Sequence, residues 1–426
     1  MTTGNTARPD GPAIADVVVI GAGAAGLACA RRLRQDGLSV VVHEARERIG
    51  GRIHTFHPAD GGPPLELGAQ VVHGDRNPVH ALIGAARMTA VPRRVTARIV
   101  LDGADQDMGV LAHHRRAPWL LEAQLQAGPG PDGLSAAGWL ALRRSTGAER
   151  RAAEEWFRQN WAAEPDELSA PGIAAAHRAD TAGEGEFAVR GGFDRLPLLL
   201  AEGLDVRLGD PVRGLHCGPG LVEARTGRGG TAARAAVLTV PPPVLASGRL
   251  AITGLPAEAL AAKLAAAAEL PLGDGYCLVV TLDRAAPDTV ISFDVDGAGG
   301  FVRCASGRPE VLFVAKAGAA AALRAAVADR PALAVLLATV LPWTAGAAVT
   351  GLSAADWGQD PYTGGAFTAP RTGCADAAAR WAAPVADTLF FAGEATMSGS
   401  RLPWVHGALE SGERAAGELL RVLANR

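Results

Sequence analysis

The chain has 426 residues, enough for two or three domains and for a full-sized core that needs no disulfide or metal staple. Hydrophobic residues make up 48% and charged residues 20%, with 53 glycines, 28 prolines and a net charge of -3. That balance excludes fibrous, disordered and small disulfide-rich classes, and no basic block suggests a nucleic-acid partner.

The five cysteines (Cys29, Cys217, Cys277, Cys304 and Cys374) are scattered, odd in number and form no CxxC pair. They fit a reducing compartment better than a disulfide framework or a structural zinc. The first ten residues are polar and lack the apolar centre of a signal peptide. No apolar run approaches the ~18 residues of a membrane span. The expectation is a soluble, cytoplasmic protein with a flexible tail over 1–11 and no membrane contact.

Residues 14–20 are apolar and β-branched, as a buried parallel strand should be. Gly21, Gly23 and Gly26 follow in GxGxxG spacing, then a helical pattern that stops at Gly37. A second strand over 38–44 closes with Glu44. This strand–turn–helix–strand–acid unit binds dinucleotides. Gly21 permits the tight turn, Gly23 lets the backbone approach the pyrophosphate, and Gly26 lets the helix pack on the strand. The helix N-terminus favours the phosphates, and Glu44 would accept ribose hydroxyls and repel the 2′-phosphate of NADP. A glycine-rich turn in an ordinary α/β domain is the alternative.

Past Glu44, the run Ala45-Arg46-Glu47-Arg48-Ile49-Gly50-Gly51-Arg52 adds a second turn. Gly50 and Gly51 allow close backbone approach, while Arg46 and Arg52 offer charge-assisted bonds to phosphate oxygens. A simple NAD dehydrogenase does not need this turn. With it, the chain resembles the flavin-dependent amine oxidases, the monoamine and polyamine oxidases and their relatives.

The resemblance continues along the chain. Residues 65–74, LELGAQVVHG, are similar to the segment beside the flavin, and the closing His73-Gly74 is like the polyamine oxidase branch. Arg190-Gly191-Gly192-Phe193, followed by the strand-like 204–208 and Val212, resembles the central return into the FAD domain, and 235–245 with its prolines resembles the strand and turn that leave it again. Residues 356–367 resemble a Trp-bearing, glycine-rich loop at the flavin ring, and 389–420 the C-terminal FAD motif. Between these lie a helix-like segment with Trp139, Trp156 and Trp161 over 134–180, helices over 258–270 and 318–328, and strands over 276–282 and 311–315. Residues 405–423 read as a helix whose N-terminus would point at the flavin pyrimidine edge. The segment 165–169, PDELS, reads as a helix start.

The resemblance implies an α/β fold, a Rossmann-like FAD-binding domain of the glutathione-reductase-like kind with an inserted α+β substrate domain. FAD would be held by 12–75, 188–250 and 380–426, and substrate by 76–187 and 251–379. Besides the glycines, Glu44, Ala45, Arg46 and Arg52, it implies cofactor contacts from Ala25, Gly68, Ala69, Gln70, Val71, Val212, Trp357, Tyr362, Gly393, Glu394, Trp404, Val405 and Ala408. Ala366 stands where some members carry a flavin-linking cysteine, so the FAD is expected to be non-covalent.

The implied chemistry is hydride transfer from a small amine to flavin N5, giving an imine, and hydrogen peroxide when O2 is the acceptor. Phe367 and Trp404 would flank the amine nitrogen, each with core packing as its alternative role. His73 is the polar candidate for touching substrate, or else a structural histidine; His406 is expected to bond backbone or flavin. At the position where relatives place a lysine linked through water to the flavin stands Cys277, or merely a small buried residue. The chain's two lysines, Lys263 and Lys316, are both expected at the surface. Poor O2 reactivity therefore stays open, and with it an amino-acid oxidase, a dehydrogenase or desaturase acting on a biosynthetic intermediate, or a flavin protein without turnover. The pairs His54–His57 and His113–His114 lack a third ligand, so no metal is expected. The partners implied are a small amine and O2 or another electron acceptor. The oligomeric state is open, a homodimer included.

Overall fold

The computed structural model describes residues 14–91, 98–101, 103–106, 118–143, 147–397 and 402–425. The tail over 1–11 and the His113–His114 pair lie outside the described residues.

Two sheets organise the chain. Among the described residues the first has eight strands. Ala15–Ile20 lies between Val40–His43 and Gly229–Leu238, parallel to both, with Val17, Val18 and Val19 fully buried. Asp205–Arg207 extends the parallel edge beyond Val40–His43, and Leu389–Phe391 pairs parallel on Gly229–Leu238. Leu221–Thr226, Gly214–Gly218 and Ala251–Thr253 continue the other side. A strand covered on both faces must be apolar throughout, which is why the β-branched run at 17–20 announces it.

The helix Ala24–Gln35 packs on this sheet and against the helix Val405–Ala424. Their approach is close because Gly412 has no side chain: a Cβ there would lie 2.3 Å from the Ala25 carbonyl oxygen. The last segment of the chain is thereby bound to the first.

The second sheet has seven strands among the described residues and is mostly antiparallel. Gly275–Leu282 sits between Glu310–Lys316 and Val349–Asp356, and Arg98–Leu101 joins the far side through Thr289–Val295. The helices Gly318–Ala328 and Arg330–Val340 bury Leu323, Leu333 and Val340 against it. The segment expected as helix-like over 134–180 forms three helices, Ala136–Ala141, Gly147–Trp161 and Ala170–Ala179. Trp139, Phe157 and Trp161 fill the core they share with Pro118–Ala127. The expected start at 165–169 is there: the Ser169 hydroxyl accepts from the Gly172 N–H.

Lys263 is a correction to the sequence reading, being buried rather than at the surface. Its Nζ donates to the carbonyls of Arg380 and Trp381 at 2.6 and 3.0 Å, and to that of Ala383. These are carbonyls at the end of the helix Ala377–Ala382, which have no partner of their own within the helix. The ammonium also sits 4.1 Å from the Phe391 ring centroid. Burial holds it down to about 8. An apolar neighbourhood in the sequence gave no hint of a helix end waiting for a cation. Among the described residues, no helix is long and apolar enough to cross a membrane.

Candidate functional site

A cavity of about 920 Å³ runs from the first sheet to the second, within the range of about 300–1,000 Å³ usual for cofactor and ligand sites. Of the residues expected to touch cofactor or substrate, all but Gly26 border it. Gly26 has the packing role its motif position implies, since a Cβ there would lie 2.0 Å from the Gly21 carbonyl oxygen.

At one end the two glycine turns meet. Gly50 donates to the Ala22 carbonyl at 2.8 Å, and a Cβ on Gly51 would stand 3.2 Å from the Gly23 Cα. Gly23 caps the helix Ala24–Gln35, and a Cβ built on it meets nothing within 4 Å. That open face is the cradle a pyrophosphate requires at a helix N-terminus. Glu44 is buried at the end of its strand, accepting from the Ala22 N–H at 2.8 Å and the Arg46 N–H at 2.9 Å. A carboxylate offers about four acceptor positions, so these bonds orient it without exhausting it. The residues present fit FAD at this end.

The two arginines border the cavity, and each also bonds an acid from a distant segment. Arg46 Nη2 bonds Asp360 at 2.6 Å, with the guanidinium 5.4 Å from the Tyr362 ring centroid. Arg52 Nη1 bonds the Ala366 carbonyl and Glu394, both at 2.8 Å. A guanidinium seeks a planar carboxylate, and the acids that satisfy these two lie more than 300 residues away in sequence. Glu394 completes the junction by accepting from the Thr368 hydroxyl at 2.6 Å.

At the other end the second sheet supplies the wall. Cys277 is buried there, its thiol pushed up to about 12 by burial, so it is neutral. Trp357 donates to the Leu67 carbonyl at 2.9 Å, pinning the glycine-rich loop to the segment 65–74. Trp404, which caps the helix Val405–Ala424, stacks on His73 with ring centroids 3.8 Å apart and planes 17° from parallel. The stack holds the Trp404 ring from the His73 side, and Phe367 lines the same cavity. Burial, with help from His406 and Lys316, holds His73 down to about 3. Its 3.7 Å approach to Glu186 is consequently not an ion pair at neutral pH.

His406 is the second residue of its helix, and it bonds neither backbone nor cofactor position as expected. Its Nδ1 lies 3.2 Å from Asn77 Nδ2 and its Nε2 2.9 Å from Asp180 Oδ1. An amide nitrogen can only donate, so these partners place the imidazole proton on Nε2. Asn77 also donates to the His73 carbonyl, which ties the stacked pair to the buried one.

Lys316 is the larger correction. Strand pairing sets Lys316 opposite Gly275 and Val314 opposite Cys277, so the neighbouring strand brings an ammonium to the wall that carries Cys277. Its Nζ lies 5.0 Å from the Phe367 ring centroid and donates to the Gln159 carbonyl. Burial lowers it to about 8.

Sequence reasoning also missed Thr239, whose hydroxyl donates to the Ile20 and Gly21 carbonyls beneath the first glycine turn. The only available signal was a lone polar residue directly after the apolar run of 235–238. Gln159 and Glu155, on the helix Gly147–Trp161, border the cavity as well, and burial raises Glu155 to about 7. His54 meets Trp357 edge-on and His57 bonds Asp194 at 2.7 Å. Among the described residues no group of three or more His, Cys, Asp or Glu is arranged to hold a metal ion.

Against known proteins, residues 24–420 match the family described as flavin containing amine oxidoreductase. The chain is 28% identical to polyamine oxidase 4 of Oryza sativa subsp. japonica, over 94% of this chain and 88% of that one. The cyclohexylamine oxidase of Brevibacterium oxydans shares the fold with a TM-score of 0.75 at 20% identity, covering 97% of this chain and all of that one (100%). A wild-type putrescine oxidase bound to putrescine does so with a TM-score of 0.74 at 22% identity, over 96% and 99% of the two chains.

Proposed function

The chain belongs to the flavin-containing amine oxidoreductase family, and on that premise we propose that it oxidises the carbon–nitrogen bond of a small amine to an imine, with hydrogen peroxide as second product where O2 is the acceptor. It is an FAD-dependent oxidoreductase acting on CH–NH donors, and the FAD is held without a covalent link. Consistent with that, Ala366 in the glycine-rich loop offers no nucleophile. Bound FAD accepts the hydride from the carbon that bears the nitrogen.

The observation that carries the reading is the gathering of three uncharged rings, Phe367, Trp404 and His73, around one end of the cofactor-sized cavity. An amine gives up hydride only when its nitrogen lone pair is free, and uncharged rings with the Lys316 ammonium beside them favour the unprotonated form. His73, held neutral, adds no charge to that wall, and its stack fixes the Trp404 ring. In this reading 12–75, 188–250 and 380–426 hold the cofactor, and 76–187 and 251–379 the substrate. The same assignment puts Gly23 at the pyrophosphate and Glu44 at the ribose, with the first turn of the helix Val405–Ala424 at the flavin.

The test is to mix the purified holoprotein anaerobically with a panel of amines and amino acids, then admit oxygen. Bleaching of the flavin followed by recovery and peroxide is the expected course. Absence of bleaching with every amine and amino acid would remove the reading.

A further inference from the structure

We propose that Lys316 anchors the carboxylate of the substrate, so that the amine oxidised at this site belongs to an amino carboxylate rather than to a polyamine. The inference rests on the amine-oxidation reading above and narrows it.

The argument begins with an unmatched cation. Lys316 Nζ is held by one neutral group, the Gln159 carbonyl, and by the face of the Phe367 ring. Among the described residues it has no carboxylate partner. An ammonium largely removed from water without a counter-ion is costly. It is tolerated where a ligand brings the opposite charge, and this one borders the cavity. The Phe367 face, where an amine substrate's own positive charge could rest, already carries the lysine. A second cation, such as the far end of a polyamine, would be repelled there.

A second observation points the same way. Gln159 Nε2 donates to Glu155 at 2.7 Å, but its side-chain oxygen Oε1 is buried with no hydrogen-bond partner among the described residues. A buried acceptor of this kind seeks an N–H. Lys316 seeking an anion and Gln159 Oε1 seeking a donor stand on adjoining elements, joined through the Gln159 backbone.

The groups that face Lys316 allow a pH test. The Cys277 thiol on the adjacent strand, pushed up to about 12, and His73, held down to about 3, are both neutral around pH 8. On the helix behind Gln159, Glu155 titrates near 7 and Arg158 stays charged in its bonds to Glu164 and Glu155. The Glu155→Gln variant removes the one neighbouring titration that overlaps that of Lys316, which lies at about 8.

The experiment titrates the oxidised holoenzyme with 3-phenylpropanoate and with its uncharged counterpart 3-phenylpropanamide, following the flavin difference spectrum. The carboxylate should bind at least ten-fold more tightly than the amide at pH 7. The advantage should fade as pH rises through about 8, in Glu155→Gln as in the parent. Lys316→Met should abolish it and Lys316→Arg should restore part of it. Equal binding of the two probes, no binding of either, or an advantage that survives in Lys316→Met would overturn the proposal. Should Lys316→Met fail to retain FAD, the pH series on the parent enzyme decides alone. The two readings fail separately. Bleaching by simple amines with no preference for carboxylate removes the anchor and keeps amine oxidation, while carboxylate preference without any bleaching does the reverse.

Discussion

Arg52 and Glu394, 342 residues apart in the chain, form a 2.8 Å ion pair on the wall of the cavity, and the same guanidinium nitrogen holds the Ala366 carbonyl. Three segments of the chain therefore meet on one side chain: the second glycine turn, the loop that carries Phe367, and the approach to the C-terminal helix. Breaking such a junction leaves a buried carboxylate with only neutral donors, the Thr368 hydroxyl and N–H.

Arg52→Met is accordingly expected to destabilise the protein by about 1.5–3 kcal/mol, the range for hydrogen bonds to charged groups. It should also loosen FAD, because the Ala366 carbonyl is freed at the same time. Urea unfolding with and without added FAD measures both effects. A variant of unchanged midpoint that keeps its flavin would show the pair to be incidental.

The glycines of the first turn separate fold from binding. Gly23→Ala adds a methyl that meets no protein atom, at a backbone φ of -76° that alanine adopts freely. The apoprotein should keep its stability while FAD binding weakens by about 1–3 kcal/mol, the usual cost of overpacking. Gly26→Ala instead forces a methyl to within 2.0 Å of the Gly21 carbonyl oxygen, so the apoprotein itself should lose stability. Thermal melts of the two apoproteins, alongside FAD titrations, distinguish the cases.

Glu155 predicts a pH effect on stability. Its folded value of about 7 lies above its ordinary 4.5, so its contribution is complete below about pH 4.5 and is lost as pH rises through 7. Glu155→Gln should therefore show a smaller fall in melting temperature between pH 5 and pH 8 than the parent. An identical fall in both proteins would contradict the burial-driven shift.

The stack of His73 on Trp404 suggests a graded pair of substitutions. Stacked rings contribute about 0.5–1.5 kcal/mol beyond the area they bury. His73→Phe retains the stack and should leave the rate of flavin bleaching within a few-fold. His73→Ala frees the Trp404 ring and should slow bleaching further and raise the amine concentration needed for half-maximal rate. Equal rates in the two variants would mean that the ring of His73 does not position Trp404.

The parts of the molecule written in local pattern were open to reading from sequence. The apolar run at 17–20, the glycine spacing at 21–26 and the Ala-rich helices each state their conformation within a dozen residues. Gly26 could even be assigned its packing role, because the motif fixes which atom it must avoid. What depended on register was hidden. Lys316 reaches the cavity only because its strand pairs with the Cys277 strand so that Lys316 meets Gly275. No periodicity within either strand contains that fact. The partners of Arg46, Arg52 and His406 were concealed for the same reason, since each bonds an acid brought in from a distant element. The sequence offered the two arginines as donors beside an expected phosphate, and the acids that orient them were out of its reach.

The way the first sheet is completed has a consequence for synthesis. Its strand Leu389–Phe391 and the helix Val405–Ala424 that covers Ala24–Gln35 are translated long after the strands they join. Until they emerge, Phe390 and Leu419 are missing from a core that already exposes Leu27 and Leu33. Pairings this remote in sequence form slowly, and the surface awaiting them is prone to association with other chains. Expression yield should thus respond sharply to slower elongation over the codons for 389–424, to chaperone supply and to flavin present during growth, even where the finished enzyme is unaltered.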